Sequence, residues 1–238
     1  MISKIIIALV VFSSQAYAQE LPSFLVFPNI LLDQEIRVLH QLTYESTPEQ
    51  QWYGRATFWQ EIYEAKVSED GESIIFNHEK ESKFLAIIDK LTSLWLRRLP
   101  ELGADLRGKR IILETYLDRN VVEPENMGSS GMFWHRDSIH VDGSKKIADY
   151  SMILLMNGKN QEWEGADLIL QQGGSYKEKN SYVWVNSENP LVTIRPVYNQ
   201  AIIFRNLDSG HMVTPLKPLS HLPIFRDVFI TTCHLLKD

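Results

Sequence analysis

The sequence predicts a mainly β, α+β fold: a double-stranded β-helix, or jelly roll, buttressed by helices from the N-terminal part of the chain. Three observations predict it. From residue 108 onward the apolar runs are short, rich in β-branched and aromatic residues, and separated by Gly, Asn, Asp and Pro. Before residue 108 the patterns are mostly helical, and one long helix carries a single apolar stripe that needs a sheet to bury it. The 238 residues, 44% apolar and 23% charged, hold no internal repeat, low-complexity tract or Gly/Ser-rich linker, which favours one domain over two.

Taken in order, MISKIIIALVVFSSQAYAQE (1–20) reads as an export signal. Lys4 gives the positive end, Ile5–Phe12 the apolar run, and AYA before Gln19 the small–x–small pattern for cleavage after Ala18. The run is too short for a membrane span, which needs about 20 apolar residues. A single domain then covers 19–238, with helical support over 28–107 and the jelly-roll core over 108–238. FPNILLDQEIRVLHQL (27–42) has apolar residues at helical spacing behind a Pro-Asn start. In SKFLAIIDKLTSLWLRRLPEL (82–102), Phe84, Ile87, Ile88, Leu91, Leu94, Trp95 and Leu99 form the stripe, and Pro100 stops it. Strands are predicted over 110–117, 131–137, 150–156, 167–171, 181–185, 191–196, 200–205, 211–214 and 225–234, the pattern of a double-sheet jelly roll or closed barrel.

Charge and cysteine content narrow the function. A formal charge of −6 and a pI near 5.7, without a basic stripe to track phosphates, disfavour a nucleic-acid partner. Cys233 is the only cysteine, so there is no internal disulfide, and its apolar setting VFITTCHLL reads as a buried strand thiol.

The polar stretch FWHRDSIHVDG (133–143) interrupts this apolar pattern. On a strand, His135 and Asp137 share a face, so an imidazole and a carboxylate can aim at one point. His211 starts a short apolar strand after a DSG turn, and fifteen residues later Arg226 opens the last strand inside an apolar run. An arginine there is costly unless matched, and its guanidinium suits a carboxylate gripped by two parallel hydrogen bonds. Two histidines and a carboxylate on one face of a metal leave three positions open, which suits non-heme Fe(II) that binds substrate and O₂ together.

H-x-D, a distal His and then an Arg resemble the Fe(II)/2-oxoglutarate-dependent dioxygenases, especially the prolyl-hydroxylase-like branch. SMILLMN (151–157), WEGADLIL (163–170) with its Gly165–Ala166 pair, and QAIIFRNLDSGHMVTPL (200–216) resemble the segments that flank those motifs, so the likeness spans roughly 110–236. The resemblance implies that His135, Asp137 and His211 ligate Fe(II) and that Arg226 binds the distal carboxylate of 2-oxoglutarate. Tyr116 resembles the tyrosine that helps hold this co-substrate, although DRNVVEPENMGSSGM (118–132) is a long gap before the metal strand. It also implies O₂ as co-substrate, ascorbate as an optional reductant, and release of succinate and CO₂. Asp137 as a ligand argues for hydroxylation rather than halogenation, and a peptidyl or amino-acid-like substrate follows by analogy. Specificity is expected from the loops 118–132 and 138–149. Of the other histidines, His40 reads as lying on a helix, His78 in a polar turn, His140 on the opposite strand face, His221 in an exposed loop and His234 at a terminal edge, none of them as a ligand. Left open is an exported jelly roll that binds a metal or small ligand without turnover; a pure metal binder has no use for Arg226.

Overall fold

The structure, a computed structural model, describes residues 22–45, 54–79, 82, 84–122, 131–156, 163–171, 177–179, 182–184, 191–206, 210–219, 221 and 224–236. The predicted export segment and residues 123–130 of the long gap lie outside the described residues. The described chain begins with strand β1 (Phe24–Pro28) and helix α1 (Asp33–Glu45). Glu35 reaches back to accept the backbone N–H of Leu32 at 2.7 Å, one half of a capping box. Leu31, just before it, is clamped by Asn199, whose amide oxygen accepts from its N–H and whose amide nitrogen donates to its carbonyl.

The next segment departs from the helical layer expected over 28–107. Residues 54–77 form a hairpin, β2 (Gly54–Val67) and β3 (Ile74–Asn77). On β2, Tyr63, Ala65 and Val67 are buried, but so is Glu61, while Ile62 on the other face is exposed. Those two inversions hide the period-two pattern from the sequence. Helix α2 (Leu85–Leu96) follows as expected, and a 3₁₀ turn over Leu99–Leu102 is closed by Gly103 at a φ of 89°.

From Arg110 on, the described elements are all strands: β4 (Arg110–Val122), β5 (Met132–His135), β6 (Ser138–Val141), β7 (Ser144–Ile147), β8 (Tyr150–Leu155), β9 (Trp163–Gly165) and β10 (Leu168–Gln171). Then come β11 (Lys177–Lys179), β12 (Tyr182–Trp184), β13 (Leu191–Ile194), β14 (Gln200–Arg205), β15 (His211–Val213), β16 (Leu216–Pro218) and β17 (Ile224–Leu235). Each predicted strand is present, with β4 running five residues further than expected. The stretch 138–149, expected as a loop, instead holds the β6–β7 hairpin. Its Asp142 and Gly143 take φ values of 49° and 72°, the pair of positive values that a type I′ turn requires.

The strands build two main sheets. The larger has the order β1-β14-β8-β17-β4-β2-β3 and the smaller β13-β10-β15-β5. One face of the larger sheet buries Leu113, Leu117, Met152, Leu154 and Phe229 against Ile36 and Leu39 of α1 and Ile88, Leu91 and Trp95 of α2. Its other face packs Leu155, Ile202, Phe204 and Val228 against Leu168, Leu170 and Val213 of the smaller sheet. Each such side chain contributes about 1.5–3 kcal/mol on burial. Cys233 is a buried free thiol, as expected, so this packing stabilises the fold without a disulfide. The mainly β, helix-buttressed jelly roll is the architecture observed. Among the described residues no helix is long and apolar enough to cross a membrane.

Candidate metal centre

Strands β5 and β15 pair antiparallel with His135 directly opposite His211, and opposed residues share a face. The ring centroids are 4.1 Å apart, and Phe204 meets the His211 ring edge-on at 4.9 Å. Met132 pairs with Val213, so three steps along β5 match two along β15. This bulge explains why Met132 and His135, an odd number of residues apart, both line the same cavity.

Asp137 is not on the strand with His135; it lies two residues beyond the end of β5. The same-strand placement read from H-x-D is therefore corrected, and a clamp does the aiming instead. Asn206, fully buried after β14, accepts the Asp137 N–H at 3.0 Å and donates to its carbonyl at 2.7 Å. The Ala148 N–H donates to that carbonyl as well. Held this way, Asp137 Oδ1 lies 3.5 Å from His135 Nε2 and 3.5 Å from His211 Nε2. One donor atom from each of the three falls within 4.8 Å of the others.

These residues fit a divalent ion. Metal–ligand bonds of about 2.1 Å put neighbouring donors roughly 3.0–3.4 Å apart, close to the spacing found. Burial pushes the Asp137 carboxyl up, but the His211 and His135 imidazoles outweigh it and hold the group well below the usual carboxylate range. Burial, opposed by Asp137, lowers His211 below the ordinary imidazole range. Asp137 Oδ2 and His211 Nδ1 are buried with no hydrogen-bond partner among the described residues. A buried carboxylate oxygen in that state is costly, and a bound cation removes the cost.

The three residues open onto a cavity of about 500 Å³ between the two sheets. Arg226, 8% exposed, and Tyr116 line its other wall, with Ile153, Val228 and Ile230. Strand alternation sends Arg226 into the cavity and its neighbour Asp227 to the opposite face, where Arg119 grips Asp227 with two hydrogen bonds of 2.6 and 2.8 Å. Tyr116 shares the cavity despite the long gap before His135, because β4 and β17 pair with Tyr116 opposite Ile230. All five residues singled out from the sequence thus meet in one place. Those it did not single out are Asn206, Arg136 and Lys145; the last two also line the cavity. The remaining histidines stand elsewhere. His40 bonds the Met156 carbonyl, His78 bonds Asp89, His234 faces Asp149, and His140 and His221 are exposed.

No protein-family model and no curated protein matches the chain. Solved structures do. The structure of IDO from Bacillus thuringiensis superposes with a TM-score of 0.56 at 15% identity, covering 90% of this chain and 91% of that one. The Fe(II)/(alpha)ketoglutarate-dependent dioxygenase TqaL gives 0.55 at 11% identity, over 89% and 82%. An oxidoreductase of the 2OG-Fe(II) oxygenase family from Burkholderia pseudomallei gives 0.51 at 12%, over 89% and 84%. The chain therefore has the fold of 2OG-Fe(II) oxygenases, and the resemblance read from the sequence holds at the level of fold.

Proposed function

We propose that the chain is a 2-oxoglutarate-dependent dioxygenase that hydroxylates a C–H bond of a peptidyl or amino-acid-like substrate. One convergence supports the reading: two imidazole nitrogens and a carboxylate oxygen, from β5, the linker after it and β15, meet in a cavity that Arg226 also lines. His135, Asp137 and His211 would hold Fe(II), which when bound supplies the oxidation chemistry of 2-oxoglutarate and O₂. In balance, 2-oxoglutarate, O₂ and R–H become succinate, CO₂ and R–OH, one oxygen atom entering succinate and the other the product.

The chain's own residues orient and exclude. Arg226, buried at 8% exposure on the cavity wall, binds the distal carboxylate of 2-oxoglutarate through two N–H donors. Tyr116, on the neighbouring strand, offers its hydroxyl to the same co-substrate. Ile153, Val228 and Ile230 keep water from the cavity wall. The export reading of 1–18 belongs to this proposal too, and N-terminal sequencing of the mature protein should start at Gln19.

The test is succinate formation from 2-oxoglutarate with Fe(II) and O₂, without a primary substrate. Wild-type protein should give a signal and His135→Ala none; equal signals would remove the assignment. Arg226→Ala should weaken 2-oxoglutarate binding by about 2–5 kcal/mol, the cost of deleting one partner of a buried charge pair. Unchanged affinity would place the co-substrate anchor elsewhere.

A further inference from the structure

Asp137 belongs to a hairpin that neither main sheet holds. Among the described residues β6 and β7 pair only with each other, in a ladder separate from the seven- and four-stranded sheets. Ser138 faces Ile147 across it, and one step further back the Ala148 N–H donates to the Asp137 carbonyl at 3.0 Å. Asp137 is thus the root of the hairpin, and these rungs tie its backbone to the two strands.

Without a ladder to a main sheet, side chains have to orient the hairpin. Asn206 holds the root, as described above. Ile139, Val141 and Ala148 pack with Ile112 and Leu236 in a small cluster apart from the two main cores. Apolar contact of that kind is non-directional, so it holds the hairpin down without fixing its angle. Glu114 supplies the direction. It lies on β4 two residues before Tyr116, only 2% exposed, and a carboxylate so placed is costly unless hydrogen-bonded. Its Oε2 accepts the His140 N–H at 3.0 Å, and its Oε1 accepts from Gln60 Nε2 at 2.7 Å. The His140 ring nitrogen Nδ1 stands 3.3 Å from both oxygens. A bond from a backbone N–H to a buried carboxylate sets both distance and angle. It is made three residues beyond Asp137, on the strand that Asp137 leads into.

We propose that Glu114 is a positioning residue for the metal centre: by holding the His140 N–H it fixes the β6–β7 hairpin as a lever that aims the Asp137 carboxylate at His135 and His211. The proposal rests on the oxygenase reading for the identity of the ion. A metal constellation has to be held within about 0.5 Å, and a hairpin tilting about its root moves its first residue by that much. Because Glu114 and Tyr116 share one face of β4, the strand that offers a hydroxyl to the co-substrate also sets the angle of the third ligand.

The test combines amide hydrogen exchange, read by NMR, with Co(II) titration of the full chain. Co(II) stands in for Fe(II) and reports its ligand geometry in the visible spectrum. In Glu114→Ala the His140 and Asp137 amides should both exchange about tenfold faster or more, although the Asp137 N–H bonds Asn206 and not Glu114. Co(II) half-saturation should rise about tenfold. Glu114→Gln keeps an acceptor for the His140 N–H and should bring both readouts back to within about twofold of wild type. Ile88→Val, in the helical layer, controls for lost stability alone: Tm falls and Co(II) half-saturation stays. Should Glu114→Ala not fold, Glu114→Asp, whose carboxylate stops one methylene short, carries the same expectations. Faster exchange at His140 with Asp137 unchanged, or a loss of Co(II) affinity no greater than in Ile88→Val, would overturn the proposal. A wild-type chain that takes up no Co(II) would overturn the oxygenase reading instead, while coupled exchange at His140 and Asp137 would still uphold the lever.

Discussion

Asn206 shows how much of the candidate metal centre is made by a group that is not itself a ligand. Its side chain makes the two hydrogen bonds that fix the Asp137 backbone, and its amide also donates to the Ala148 carbonyl at 3.0 Å. Removing it leaves the three proposed ligands in the sequence but frees the one that sits off the strand. Asn206→Ala is expected to weaken Fe(II) binding about 10- to 100-fold, the usual effect of losing a supporting partner. The fold should survive, at a cost of about 1–3 kcal/mol for the orphaned buried groups. Metal titration beside urea unfolding checks both numbers; a metal affinity equal to wild type would show that Asp137 needs no clamp. The three proposed ligands were legible in the sequence because few side chains can bind iron, and an arginine in an apolar strand demands an explanation. Asn206 was not, because asparagine is common at strand ends and surfaces. Only the tertiary approach of the end of β14 to Asp137 gives it a role.

At the scale of elements, turn chemistry decides what the strands can do. The Asp142–Gly143 turn makes a hairpin of a segment whose polar composition reads as a loop, and that hairpin carries Lys145. Gly165 has a stricter requirement. It pairs with Leu216 across β9 and β16 at a φ of 79°, and a Cβ added there would stand 2.1 Å from the Pro215 carbonyl oxygen. The obstacle is backbone, so no side-chain rotation relieves it. Gly165→Ala should therefore cost the left-handed penalty of about 1–2 kcal/mol plus the displacement of the Pro215 backbone that leads into β16. Urea denaturation should show a midpoint clearly below that of wild type with the slope retained. A variant as stable as wild type would mean that β16 moves aside freely. The Gly165–Ala166 pair was visible in the sequence as a motif. Its physical reason, a close backbone approach from a strand fifty residues later, was not.

The whole molecule is a sheet with two occupied faces, and the adjacent residues Arg226 and Asp227 divide their charges between them. Arg226 serves the cavity, while Asp227 joins the sheet to the helices: it accepts both Arg119 hydrogen bonds and lies 2.9 Å from Nδ1 of His40 on α1. The layered plan was legible from the apolar stripe of α2 and the punctuated strands of the second half. The β2–β3 extension was hidden, because buried Glu61 sits 3.3 Å from His78 and so stays inside without an apolar side chain. Asp227 gives a prediction on the same scale. Burial raises its carboxyl pKa, but the Arg119 and His40 contacts outweigh that and hold it below the ordinary value. A carboxylate depressed in the folded state stabilises the protein fully above its unfolded pKa, about 3.9, and ceases to do so as pH falls through the folded value. Asp227→Asn leaves Arg119 buried without its counter-charge and should cost about 3–5 kcal/mol at pH 7. The gap from wild type should hold down to about pH 4 and narrow below it, as wild type loses the same charge by protonation. Because Asp227 faces away from the cavity, 2-oxoglutarate affinity of the folded variant should stay within about twofold of wild type, a ΔΔG under about 0.5 kcal/mol. A stability gap that stays constant from pH 7 to pH 3 would show that the helical layer is not tied to the sheet through this charge.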